Sequence, residues 1–317
     1  MLRRHLSFLF VLMTTGAVAQ DYPTREVRSI CNFAAGSGAD IVVRYYSDAL
    51  AKLAGKPVVV ENKPGAQGLL ATDYVAKSKP DGYTILITPA SSTLAIAPHM
   101  FKKLPFDPVK DFAPVTTLLT LSFTITVDAA GPLRTIPDLV ASLKSKPGNG
   151  FYGTQSNSGQ GAAELFKERL GLKTSYVPFK VTGDAYTNLL GGNIDFMSVD
   201  STWAATLHPA KVRILAVTSA RRNSSRPDVP TLAELGLGDF DITPWWGVVV
   251  PAGTPRPVIE RLAGWFNQVS AAPETKQFLA RQAADAFPGT PESMAELMKT
   301  EVERWGRYVR LAKIEPQ

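Results

Sequence analysis

Between residues 27 and 218 the chain repeatedly switches hydrophobic period, from short apolar runs to stretches with an apolar residue at every third or fourth position. Residues 27–32 read as a buried strand and 34–38 as a glycine-bearing turn. The segment onward to Leu53 reads as a helix whose Val42, Tyr46, Ala49 and Leu53 share one face. A second strand at 57–61 leads through Asn62-Lys63-Pro64-Gly65 into a helix at 69–77, and Pro80-Asp81-Gly82 turns the chain into a strand at 83–88. A further series opens with the strand-like run 121–127 and continues as helix 136–144, strand 150–152, helix 161–170, strand 175–177, helix 184–190 and strands 195–199 and 212–218. Strands alternating with helices require parallel sheets, and right-handed crossovers put every strand-to-helix loop along one edge, where ligands collect.

The 317 residues exceed what one core usually organises, so two lobes are expected. The Trp- and Val-rich stretch 240–251 reads as a strand returning to the first lobe, which makes two hinge strands. Lobe 1 is then 20–122 together with 244–317, and lobe 2 is 123–243. Helices at 257–269 and 291–311 close the chain, each with proline in its first turn. At the start, Arg3 and Arg4, the apolar run 6–13 and Ala17-Val18-Ala19 have the layout of a secretory signal cleaved after Ala19. No later run is long and apolar enough to span a bilayer, and Cys31 lies too far on for a lipid anchor. The single cysteine excludes an internal disulfide. The net charge of +6 falls to +4 without Arg3 and Arg4, and the remaining cations are scattered, so no nucleic-acid patch is present.

Two loops carry the chemistry. In Asn32-Phe33-Ala34-Ala35-Gly36-Ser37-Gly38-Ala39-Asp40 small residues let the backbone bend and present N–H groups at a helix start, which is an anion cradle; a tight turn without ligand is the competing reading. Asp40 either takes part in the site or offsets the helix dipole. The second lobe repeats the arrangement at Gly153-Thr154-Gln155-Ser156-Asn157-Ser158-Gly159-Gln160. Uncharged donors suit a carboxylate: each hydrogen bond to a charged group nets roughly 1.5–3 kcal/mol, and three to five supply the ~8 kcal/mol of micromolar affinity. A hydroxyl-dense loop, Thr88-Pro89-Ala90-Ser91-Ser92-Thr93, and the loops Phe179-Lys180-Val181-Thr182-Gly183 and Ser198-Val199-Asp200-Ser201-Thr202 occupy equivalent positions. Asp200 serves either an amine or bound water, or a helix cap. Trp245 and Trp246 either wall the cleft or pack the core.

With these motifs the chain resembles the tripartite tricarboxylate transporter substrate-receptor family, also called the Bug family. The marks run through nearly the whole mature chain: the 32–40 loop, Val60-Glu61-Asn62-Lys63-Pro64-Gly65, Lys79-Pro80-Asp81-Gly82-Tyr83-Thr84, Leu104-Pro105-Phe106-Asp107-Pro108-Val109-Lys110-Asp111-Phe112, Leu190-Gly191-Gly192-Asn193-Ile194-Asp195, Pro227-Asp228-Val229-Pro230-Thr231 and Pro251-Ala252-Gly253-Thr254-Pro255. The resemblance implies an α/β, two-lobed periplasmic binding protein type II-like fold, each lobe a sheet flanked by helices, joined by two hinge strands and closing on a carboxylate. It implies a periplasmic monomer delivering its ligand to a two-component membrane permease, with neither cofactor nor metal. Carried over by position, Phe33, Ala35, Gly36, Ser37, Gly38, Ala39 and Asp40 grip the proximal carboxylate, while Ser91, Ser92, Gln155, Ser156, Asn157, Ser158, Thr182 and Asp200 line the rest. The chain departs from the family at Cys31-Asn32, where Val-Pro is common, at Gln160, where histidine is frequent, and at Gln155-Ser156-Asn157-Ser158, in place of Ser-Gly-Asn-Gly.

An enzyme on the same architecture is the first rival. Beyond the leader only His99 and His208 remain, neither in a nucleophile motif, and metal-ligand spacing is absent. Cys31, ending an apolar strand, reads as a small buried side chain. A sensory receptor read by a periplasmic kinase domain is the second rival, since either partner would recognise the same closed state.

Overall fold

The computed structural model describes residues 22–202 and 210–316; the expected secretory segment and His208 lie outside them. Strands and helices alternate as the hydrophobic period requires: β1 (Val27–Cys31), α1 (Gly38–Ala54), β2 (Val58–Asn62), α2 (Leu69–Ala76), β3 (Thr84–Thr88) and the short α3 (Ala97–Met100). There follow β4 (Phe112–Thr120), β5 (Phe123–Asp128), α4 (Ile136–Ser145), β6 (Phe151–Thr154), α5 (Asn157–Leu170), β7 (Ser175–Pro178), α6 (Thr182–Leu190), β8 (Phe196–Asp200) and β9 (Val212–Val217). The last elements are β10 (Trp245–Pro251), α7 (Arg256–Ala271), α8 (Pro273–Arg281), β11 (Asp285–Ala286) and α9 (Pro291–Leu311).

They build two mixed sheets flanked by helices, ordered β11-β4-β10-β3-β1-β2 and β7-β6-β8-β5-β9. The chain passes from the first sheet to the second between Thr120 and Phe123 and is back in the first at Trp245. Leu121 N–H donates to Pro244 O at 3.0 Å, which ties the two crossings together. Pairing starts at Trp245 rather than at 240, because Pro244 has no N–H to enter a ladder.

Register decides where the loops lie. β1 pairs in parallel with β2 and β3, and β10 runs antiparallel with Gly247 opposite Thr88, so Trp245 stands at the carboxyl edge of β1–β3. In the second sheet β6 is parallel to β7 and β8, while β5 is antiparallel to β8 with Phe123 opposite Asp200. Both carboxyl edges therefore lie at the crossing points. Ligand-binding loops of a doubly wound sheet gather at such edges.

Burial follows the face read from sequence in part: Val42 and Tyr46 are buried, while Ala49 and Leu53 pack half-buried on the same core. α1 turns Val42, Val43, Tyr46 and Leu50 onto its sheet, each worth about 1.5–3 kcal/mol when fully buried, and ends at Gly55 in the left-handed conformation. One core cluster joins Ile30 and Leu86 of the first sheet to Ile125, Tyr152 and Phe196 of the second through Trp245 and Trp305. α9 makes that bridge: a Cβ on Gly161 of α5 would lie 2.7 Å from the Trp305 ring, so only glycine lets the two helices approach this closely. A further link crosses at Ala283, whose carbonyl accepts from Ser201 Oγ at 2.7 Å and Asn223 Nδ2 at 2.6 Å. The two expected hinge strands are thus supplemented by a contact made by side chains.

Several elements differ from their sequence reading. β4 was not visible because it is buried on both faces and carries Pro114, Thr116 and Thr117, which break any alternation; the register with β10 shifts beside Pro114. α5 begins at Asn157 rather than 161, and α6 at Thr182 rather than 184. Among the described residues no helix is long and apolar enough to cross a membrane.

Candidate anion-binding cleft

The first loop is shaped by its own polar groups. Gly36 adopts φ +79°, a conformation open to glycine, and Ser37 caps α1 by accepting from Asp40 N–H at 3.2 Å. Asp40 is 1 % exposed and points into the protein. Its Oδ2 accepts from Gly36 N–H and from Arg44 Nε, both at 2.8 Å, and its Oδ1 accepts from Asn62 Nδ2 at 2.7 Å. Burial alone would raise its pKa, but the hydrogen bonds from Arg44, Asn62 and Gly36 outweigh burial and hold the carboxyl below its usual value. Asp40 thus pins the loop from beneath, and both its oxygens are occupied by protein donors. Gly36 N–H is spent on Asp40, and Ser37 N–H on Ala34 O at 3.2 Å. Among the described residues no acceptor pairs with the N–H groups of Ala35, Gly38 and Ala39, and the loop from Ala34 to Ala39 is exposed or half-buried. Phe33 lies beneath, stacked on Trp246 at 6.0 Å and 18°.

The second loop repeats the device. Ser156 caps α5 through Gly159 N–H at 3.1 Å, and the amides of Asn157 and Ser158 open the helix with no acceptor among the described residues. Ser158 is fully buried; its hydroxyl hydrogen-bonds Ser92, so the two carboxyl edges meet here directly. Gln155 is half-buried and Asn157 buried. Thr182 opens α6 and is 5 % exposed, and Asp200 Oδ1 accepts from Thr202 Oγ1 at the end of β8. Ser91 is fully buried. It lies in a π-turn, Ser91–Ala95, and its hydroxyl accepts from Trp245 N–H at 3.0 Å, anchoring the first residue of β10. Trp245 and Trp246 are 2 % and 5 % exposed and serve the cores.

Residues that sequence reasoning did not select also shape this edge. Gly65, Ala66, Gln67 and Gly68 all have positive φ, and a Cβ on Gly68 would lie 2.7 Å from Asn32 Nδ2. Asn32 in turn holds Thr93 Oγ1 at 3.4 Å and accepts from Thr88 Oγ1 at 3.3 Å, so three loops close on one buried amide. Pro64-Gly65 signalled a turn; two non-glycine residues at positive φ gave no signal. Cys31 is fully buried, and burial pushes its pKa up to about 11. His99 Nε2 lies 2.8 Å from Val302 O and packs on Gly306. Among the described residues no group of three or more His, Cys, Asp or Glu is placed to hold a metal ion.

Two helix-flanked sheets with loops converging on a shared edge define the class: a periplasmic-binding-protein fold. The periplasmic binding protein BugD has the same fold at a TM-score of 0.83, with 30 % identity, 93 % of this chain and 100 % of that chain covered. Rpa4515 of R. palustris, solved with adipate, superposes at 0.86 with 27 % identity over 94 % of this chain and 100 % of its own. MatC (Rpa3494) from Rhodopseudomonas palustris, solved with bound malate, superposes at 0.81 with 29 % identity over 91 % and 100 %. Residues 42–314 match the model of the tripartite tricarboxylate transporter family receptor, and the chain belongs to that family.

Proposed function

We propose that this chain is a periplasmic receptor that captures a small carboxylate between two lobes, 20–122 with 244–317 and 123–243, and delivers it to a membrane permease of the tripartite tricarboxylate type. The observation carrying this reading is the pair of helix starts, Gly38-Ala39 of α1 and Asn157-Ser158 of α5, whose amides have no protein acceptor among the described residues and which stand on carboxyl edges joined at Ser92 and Ser158. Such amides, at the positive ends of helix dipoles, favour a carboxylate. Family membership and the adipate- and malate-bound relatives support it. Binding by population shift toward a closed form requires no catalytic group, which fits a receptor rather than an enzyme.

Titration calorimetry of the mature protein with adipate and malate, joined to small-angle scattering, tests the reading: heat of binding, compaction and no product are expected. Gly38→Val is the local test, because a Cβ there meets nothing within 4 Å and so stands in open space rather than in the core. The variant should fold and bind at least tenfold more weakly, a loss of about 1.4 kcal/mol. Normal affinity in the folded variant would move the site elsewhere.

A further inference from the structure

The loop after β7 carries a cation that the amide cradles do not employ. Pro178 ends β7 opposite Thr154 at the end of β6, and Phe179 N–H still donates to Thr154 O at 3.3 Å. Lys180 therefore leaves the sheet beside Gln155 and Ser156, about one strand spacing, ~5 Å, along the same edge. The Phe179 ring is held down against the sheet, since a Cβ on Gly153 would lie 2.7 Å from it. Lys180 follows in a bend, and Val181 behind it is the extended residue that precedes α6. Lys180 is exposed, and no acidic side chain pairs with it among the described residues. The other cations flanking the cradles are matched, Arg44 by Asp40 at 2.8 Å and Lys63 by Glu61 at 3.6 Å. On the opposite flank of β6, β8 ends in Asp200. Lys180 thus stands on one side of the second cradle and Asp200 on the other. Val181, 53 % exposed, follows Lys180 and offers apolar surface next to it.

Resting on the receptor reading above, we infer that Lys180 selects the ligand class: it holds the second carboxylate of a linear dicarboxylate whose first carboxylate lies on the amide cradles. The hydrocarbon between the two carboxylates passes Val181.

The test compares adipate with hexanoate, which has the same chain and one carboxylate fewer, by calorimetry on the mature wild type, on Lys180→Gln and on Lys144→Gln. Lys144 is an exposed lysine in the last turn of α4, so its variant loses the same net charge away from the edge. A hydrogen-bonded charge pair predicts an adipate preference over hexanoate of about tenfold or more in the wild type, retained in Lys144→Gln and largely lost in Lys180→Gln. Equal affinity for the two acids in the wild type, or an equal fall of the ratio in both variants, would overturn the role of Lys180 and leave the receptor reading standing. Failure of the wild type to bind either acid would overturn both. Thermal melts of the variants, expected to match the wild type because both lysines are exposed, separate lost binding from lost folding.

Discussion

Asp40→Asn is the sharpest probe of how the first cradle is held. The carboxylate accepts three hydrogen bonds, from Gly36 N–H, Arg44 Nε and Asn62 Nδ2, at 1 % exposure. Asparagine keeps the volume but replaces one acceptor oxygen with a donor, which must then face another donor. The Arg44 side chain is 45 % exposed and regains water when released, so little of the loss comes from that pair. What remains is one buried hydrogen bond to a charged group and one misplaced donor, together about 2–4 kcal/mol. For a chain of this size, at roughly 2 °C per kcal/mol, the melting temperature should fall by about 4–8 °C. Ligand affinity should fall too, because Gly36 no longer fixes the turn that aims the Gly38 and Ala39 amides.

The pH dependence follows from the same geometry. Asp40 has a folded pKa below its unfolded value near 3.9, so its stabilisation is present above that value and is lost as pH falls through the depressed folded pKa. The deficit of the variant should therefore be full at neutral pH and shrink in acid below about pH 4. Melting scans across pH, with calorimetry against adipate, measure both effects. A variant that melts within about 1 °C of the wild type at neutral pH, or whose deficit persists unchanged in acid, would refute this account.

Three further substitutions test the bridge behind the edge and a tight turn on it, the last of them as a control. Glu301 on α9 is 5 % exposed beside Trp245, Trp305 and Arg304, and burial raises its pKa, so its charge costs stability as pH rises from the unfolded value near 4.3 through the raised folded one. Glu301→Gln should raise the neutral-pH melting temperature by about 2–4 °C and remove the gain that the wild type shows on mild acidification; a lower melting temperature would show the carboxylate to be needed. Gly68→Ala, at φ +95° with a Cβ 2.7 Å from Asn32 Nδ2, should cost about 2–3 kcal/mol and weaken ligand binding. Gly55→Ala, also at positive φ but with nothing within 4 Å, should cost only about 1 kcal/mol, so equal effects in urea melts would remove the Asn32 contact from the explanation.

The chain's own pattern determined the alternation of strands and helices, the edge on which the loops lie and the two amide-bearing helix starts. These are local matters: an apolar period of two or of 3.6, a small-residue turn, and a serine three residues before an N–H it can cap. Family motifs reached the same place because their glycines and prolines mark those turns. Tertiary structure decided what each polar group does once placed. Asp40 faces inward because Arg44 and Asn62, the latter 22 residues away, converge on it. Ser91 anchors Trp245, 154 residues away, by accepting from its N–H. β4 is a central strand despite Pro114, because β10 supplies its partner from the far end of the chain. Whether a donor is spent within the protein or left for a ligand depends on neighbours distant in sequence, and only folding brings those neighbours within hydrogen-bonding distance.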